Sequence, residues 1–349
     1  MRRVPVLIAL FLAPWLGSCL GGSSSGAGAA AAPGAENALA GQGGPGLAAG
    51  AAAHHLPTFR APEEFLLEAE RLYRVRDAAG AYEVFREVLR ADGQGQFALE
   101  LTGHQPAGAA AIGPPSLDWQ ARYEFRQRFL VHFRDLHRGS EESLRRNYVW
   151  EELPGSVTMA GRSCSRHLVT NRYGYGSIEL TIDDQLELLL GWVVRDETGQ
   201  ELSSLETTAL NLAPNLTGVT WSAPAAPIQP YRGPIDDPVL GFTPLSLHYA
   251  PAGYFPTEER MVLTEQVFGT SIRNFHVEVL HDGLQTILIG QQGGNGTGPG
   301  GPIQKTIIKL SDLGGVRVVE GPIGARQVCV LGTAPMQELR ATWNSTSQF

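Results

Sequence analysis

The stretch "AGRSCSRH", Ala160 to His167, sets a cysteine between two arginines with a histidine three residues on. Those residue types suit a nucleophilic thiol, since positive charge favours the thiolate and an imidazole within reach can take its proton. Whether they meet depends on the element that carries them. The segment reads as a β-strand, in which side chains alternate between faces. Arg162, Cys164 and Arg166 then share one face, and Ser163, Ser165 and His167 share the other. His167 points away from the sulfur, and only the arginines are left to lower the thiol's pKa. A scaffold role is the expectation for this stretch.

Other residues with chemical potential are as sparse. "GQQGGNGTGPGG" lacks the Gly-Lys-Ser/Thr ending of a phosphate loop and lies between two strand-like runs, so a hairpin loop is expected. His54 and His55 have no spaced partners, and neither His-Glu-x-x-His nor paired Cys-x-x-Cys occurs. Asp183 and Asp184 are adjacent, so on a strand they face opposite ways and make a poor acid/base pair. No nucleophile elbow, triad spacing or nucleotide fingerprint is present. The expectation is a non-enzymatic protein with no cofactor and no metal.

The N-terminus carries a clearer signal. Arg2 and Arg3 precede an apolar run from Val4 to Leu12, followed by Leu16-Gly17-Ser18-Cys19. This is a secretory signal, too short to span a membrane. Its end resembles the bacterial lipobox, which implies cleavage before Cys19 and lipid on that sulfur. Residues 20 to 57 are almost all Gly, Ala, Ser and Pro, a tether unable to bury a core. Leu20 follows the cysteine, with no Asp to suggest inner-membrane retention, so an outer-membrane anchor facing the periplasm is expected. Cys164 and Cys329 remain; an exported domain of this size does not need them bonded. With a formal net charge of −8, the chain of 349 residues shows no basic footprint for nucleic acid.

Beyond the tether, "APEEFLLEAERLYRVRDAAG" sets Phe65, Leu66, Ala69 and Leu72 at helical spacing and predicts a helix. "AYEVFREVLRADGQGQFALELTGH" predicts a hairpin about Asp92-Gly93. "LDWQARYEFRQRFLVHFRDLHRG" suits a helix in its first half, and its second half fits helix or strand. From Tyr148 short strands and turns predict an antiparallel meander, with a tight turn at Asp196, Thr198 and Gly199. The proline-rich run 225–238 marks a boundary. After it a smaller sheet domain is expected, with one short helix in "APMQELRATW".

Several motifs, in order, resemble the periplasmic sigma-E regulatory family RseB, also called MucB. They are "NYVWEEL", then the Gly-Arg strand at Val157, Ala160, Gly161 and Arg162, and then Tyr173-Gly174-Tyr175. "APAGYF" (250–255) and Asp282-Gly283-Leu284 follow in the second domain. The resemblance implies an α+β, mostly antiparallel fold: an open half-barrel like the lipoprotein carriers LolA and LolB over residues 58–224, and a small β domain over 239–343. It implies lipid, acylated protein or an anti-sigma factor as partner, with the membrane reached through the N-terminal lipid. The candidate lining of an apolar cavity is Phe85, Phe97, Trp119, Phe125, Phe129 and Leu130; a filled core is the plainer reading of each. A carrier or acceptor of lipoproteins is the second expectation, and a purely structural envelope lipoprotein the third.

Overall fold

Strand β1, Leu66–Arg76, buries every second residue: Leu67, Ala69, Arg71, Tyr73 and Val75. The helix expected over this stretch is therefore corrected to a strand, preceded by one 3-10 turn at Pro62–Glu64. The period-2 pattern was masked because Arg71, a charged residue, occupies its central buried position. This computed structural model describes residues 57–76, 79–116, 134–221, 228–230, 240, 242–267, 271–293, 309–313, 316–324 and 326–346. The signal sequence, Cys19, the tether up to residue 56, most of the 225–238 run and the ambiguous segment 117–133 lie outside the described residues.

β2 (Tyr82–Asp92) and β3 (Phe97–Gln105) form the expected hairpin. Asp92 closes its turn by accepting from the Gln94 and Gln96 amides. Helix α1, Glu141–Asn147, starts at Ser140, whose hydroxyl caps the Ser143 amide at 3.2 Å. It leads straight into the meander of β4 (Tyr148–Met159), β5 (Arg162–Asn171), β6 (Ser177–Asp183), β7 (Leu189–Arg195) and β8 (Glu201–Asn211). The eight strands form one sheet in the order β3-β2-β1-β8-β7-β6-β5-β4. All pairings are antiparallel, and β3 and β4 stand at opposite edges, so the sheet is an open half-barrel.

A second sheet has seven strands in the order β13-β14-β15-β12-β11-β10-β9. They are β9 (Ile228–Pro230), β10 (Phe255–Val267), β11 (Ser271–His281), β12 (Thr286–Gly293), β13 (Lys309–Leu313), β14 (Val316–Ile323) and β15 (Arg326–Gly332). The expected C-terminal helix is α2, Met336–Ser345. It buries Leu339 and Trp343 against this sheet, and the indole N–H of Trp343 donates to the Val328 carbonyl at 3.1 Å. Each sheet has its own apolar cluster.

Candidate functional site: an inner sheet face and a motif-built junction

Cys164 lies on β5 with 0% exposure, inside the first sheet's apolar cluster. Burial pushes its thiol up, and the nearby Asp183 carboxylate adds to that effect. The expected net lowering by arginine is thereby corrected: Arg162 still favours the thiolate, but burial and the Asp183 carboxylate to which it donates outweigh it. His167 meets Ser165 Oγ at 3.2 Å, on the other side of the strand. Cys164 and Cys329 are both buried, in different sheets, and are not bonded to each other. Asp183 and Asp184 split as the alternation requires, Asp183 to Arg162 and Asp184 to the Ser163 hydroxyl at 2.6 Å.

On the inner face, an aromatic row crosses five strands. His104 on β3 stacks on Phe85 on β2 (4.9 Å between centroids), Phe85 meets Tyr73 on β1 (6.2 Å), and Tyr73 meets Trp192 on β7 edge-on (5.9 Å) across Leu205 on β8. The cross-strand register fixes this order, since Phe85 pairs with both His104 and Tyr73. Of the expected lining residues, Phe85 joins the row and Phe97 packs, half-buried, against the same cluster. Trp119, Phe125, Phe129 and Leu130 lie outside the described residues.

Beside the aromatic row runs a charged one that the sequence did not reveal. Arg71 and Glu87 are fully buried and paired with each other. Arg71 also donates to Asp135 at 2.8 Å, and Arg134 donates twice to Glu87, at 2.9 and 3.0 Å, with its guanidinium 4.2 Å above the Tyr73 ring. Burial alone would lower the Arg71 pKa; the Asp135 and Glu87 carboxylates outweigh it and keep the group charged. Two cations thus balance two anions, the condition under which ions tolerate an interior.

Four of the five motifs that carry the family resemblance, far apart in sequence, meet at the junction of the two sheets; the Gly-Arg motif does not. Asn147, at the end of α1, donates its Nδ2 to the carbonyls of Gly253 (2.7 Å) and Asp282 (2.6 Å). The Tyr148 hydroxyl donates to Asp282 Oδ2 at 2.5 Å, while the Leu284 and Gln285 amides donate to Oδ1. Burial raises the Asp282 carboxyl pKa against these donors, and burial likewise raises the Tyr148 phenol. Tyr175 accepts from the Ala252 amide at 3.0 Å and stands 6.4 Å from Tyr254. Each sheet also sends a side chain into the other's core: Leu284 joins the first cluster and Tyr175 the second.

The motif glycines are explained by the same contacts. Gly253 has φ +86, and a Cβ there would lie 2.7 Å from the Tyr173 ring. Gly283 has φ +113 and faces Leu144. Farther out, Arg317 on β14 reaches Glu197 (2.8 Å) and Asp196 (3.5 Å) in the β7–β8 turn. The Gly-Arg motif, expected on one strand, is corrected to a turn between two, with Val157 on β4 and Arg162 opening β5. Ala160 and Gly161, at φ 52 and 75, make the tight turn between β4 and β5.

Exposed apolar side chains occur on the elements that build this junction. Val149, Tyr173 and Phe255 are each about two-fifths exposed, and the Arg146 guanidinium lies 5.0 Å over the Phe255 ring. Among the described residues no cluster of three or more His, Cys, Asp or Glu is placed to hold a metal ion, and no helix is long and apolar enough to cross a membrane.

No protein-family model and no curated protein matches the chain. Among solved structures, MucB in complex with MucA(peri) is 17% identical, covering 81% of this chain and 93% of that chain, with a TM-score of 0.47. MucB alone is 16% identical, covering 81% and 92%, with a TM-score of 0.46. A putative outer membrane lipoprotein-sorting protein domain from Vibrio parahaemolyticus is 11% identical, covering 46% and 89%, with a TM-score of 0.17.

Proposed function

We propose that this protein is a non-enzymatic envelope lipoprotein of the RseB/MucB kind, which binds a partner across the junction of its two sheets. The observation that carries this reading is the convergence of four of the five ordered motifs on that junction. Asn147, Tyr148, Tyr175, Gly253 and Asp282 there hold two sheets in one arrangement. Val149, Tyr173 and Phe255 stay exposed, Phe255 under the Arg146 guanidinium, and exposed aromatics with arginine are the composition of binding hot spots. The partner in this reading is the periplasmic segment of an anti-sigma factor. Acylated protein or lipid is a second ligand, favoured by the apolar inner face with its aromatic row. The Leu16-Gly17-Ser18-Cys19 sequence supports lipid attachment at Cys19 and an outer-membrane site facing the periplasm.

The detergent-solubilised full chain should bind the periplasmic segment of an anti-sigma factor from its own organism. Tyr173→Ala and Phe255→Ala should each weaken that binding about tenfold or more. Equal affinity in both variants would move the partner off the junction, and no binding by the wild type would end the regulatory reading. Acyl lipids found by mass spectrometry with the purified chain, in the absence of such binding, would favour the carrier. Lipidation is read separately: Cys19→Ser should abolish incorporation of labelled palmitate and release the protein from the membrane fraction.

A further inference from the structure

Residues 134–140 connect the charged row of the inner face to the junction, and a histidine fastens the middle of this connector. At one end, Arg134 and Asp135 bind Glu87 and Arg71. At the other, the Gly139 amide donates to the Gly283 carbonyl of the second sheet at 2.8 Å, just before α1 begins. Between them, His137 Nδ1 lies 2.9 Å from the Asp135 carbonyl and Nε2 contacts Glu63 Oε1, on the 3-10 turn before β1.

Neither a carbonyl nor an ionised carboxylate can donate a hydrogen bond. Both contacts are made together only when both ring nitrogens carry protons. We propose that His137 is the charged bolt of a pH-dependent clasp: as imidazolium it fastens the connector to the first sheet, and its deprotonation as the pH rises loosens the connector without unfolding the sheets.

The surrounding charges favour this state. Burial alone would lower the imidazole pKa, but the Glu63 contact and the Asp135 charge outweigh it and raise it. Burial alone would raise Glu63, and the His137 contact, helped by Arg71 on β1, outweighs that and lowers it. Arg138 adjoins on the connector itself, and His281, ending β11, approaches from the second sheet beside Gly139. The sign follows from the raised imidazole value: the clasp contributes fully below the ordinary histidine pKa of about 6.5 and is lost as pH rises through the folded value. On the acid side it is lost only as pH falls through the lowered Glu63 value.

The test uses the full chain in detergent with carbon-13-labelled histidine, the His137 signal being assigned by its absence in His137→Gln. Its midpoint is expected above about 6.5 in the wild type and lower in Glu63→Gln. Hydrogen exchange of residues 134–140, corrected for the intrinsic pH effect, should accelerate about tenfold across that midpoint, as for loss of a charge-assisted bond. β5 to β7 should be unchanged, and His137→Gln should show no such step. A wild-type midpoint at or below about 6.5, or the same step in His137→Gln, overturns the proposal. Should that variant not fold, the exchange step of residues 134–140 in Glu63→Gln decides it: a step at the wild-type pH counts against the clasp, and one at lower pH supports it.

Discussion

At neutral pH the Cys164 sulfur should remain a thiol, because its burial opposes the charge that the flanking arginines favour in sequence. Native protein is expected to resist iodoacetamide there and to react only after denaturation. Cys164→Ser should lose about 1–3 kcal/mol by urea unfolding, since a hydroxyl would replace a weakly polar group in an apolar cluster. Prompt alkylation of the folded chain would restore the reactive-centre reading. Arg71 presents the opposite case, a charge that sequence logic places outside and the structure buries. Arg71→Met leaves the buried Glu87 and Asp135 with Arg134 as their one remaining shared cation, and a loss of about 3–5 kcal/mol is expected. Arg71→Met with Glu87→Met should cost less than the sum of the two single changes; strict additivity would show that the pair is not coupled.

At the scale of elements, legibility in the sequence followed from whether a burial pattern was interrupted. The meander from Tyr148, the Asp92-Gly93 hairpin and the C-terminal helix were all legible, because their turns carry Gly or Asp and their apolar positions recur without a break. β1 was not, since Arg71 interrupts its inward row and the remaining apolar residues mimic a helical spacing. The inner-face aromatics were half legible: Phe85 stood out, while Tyr73, His104 and Trp192 are joined only by cross-strand register, which a linear reading does not contain. The motifs were visible one by one, but their meeting point was not. Turn chemistry also separates glycines that look alike in sequence. Gly253→Ala meets both a positive φ and the Tyr173 ring, so it should cost more than Gly155→Ala, where φ is +82 but the space is open. The latter should cost about 1–2 kcal/mol, the left-handed penalty alone. Equal losses in thermal unfolding would mean that the junction yields to an added methyl group.

For the whole molecule, the question is whether two sheets joined by a proline-rich stretch behave as two bodies or as one. Inter-domain interfaces in one chain are often polar and loosely coupled, which makes relative motion the default. Here the coupling is of another kind. Leu284 completes the first core and Tyr175 the second, so neither sheet can unfold without opening a cavity in its neighbour. Asn147 adds two hydrogen bonds that cross between the sheets, and Arg317 ties the far side to Asp196 and Glu197. A single cooperative calorimetric transition is therefore expected for the wild type, with the calorimetric and van't Hoff enthalpies in agreement. Leu284→Ala should cost about 2–5 kcal/mol, and together with Asn147→Ala it should begin to split the transition, because the links then left are the Tyr148–Asp282 and Tyr175–Ala252 hydrogen bonds, the Tyr175 ring and the Arg317 pair. Two transitions in the wild type would show that the sheets are independent, and a partner docking across them would then have to fix their arrangement itself. If a single transition persists in the double variant, the Tyr175–Ala252 contact and the Arg317 pair hold the sheets together, and the docking surface proposed at Val149, Tyr173 and Phe255 outlasts the loss of the lock beside it.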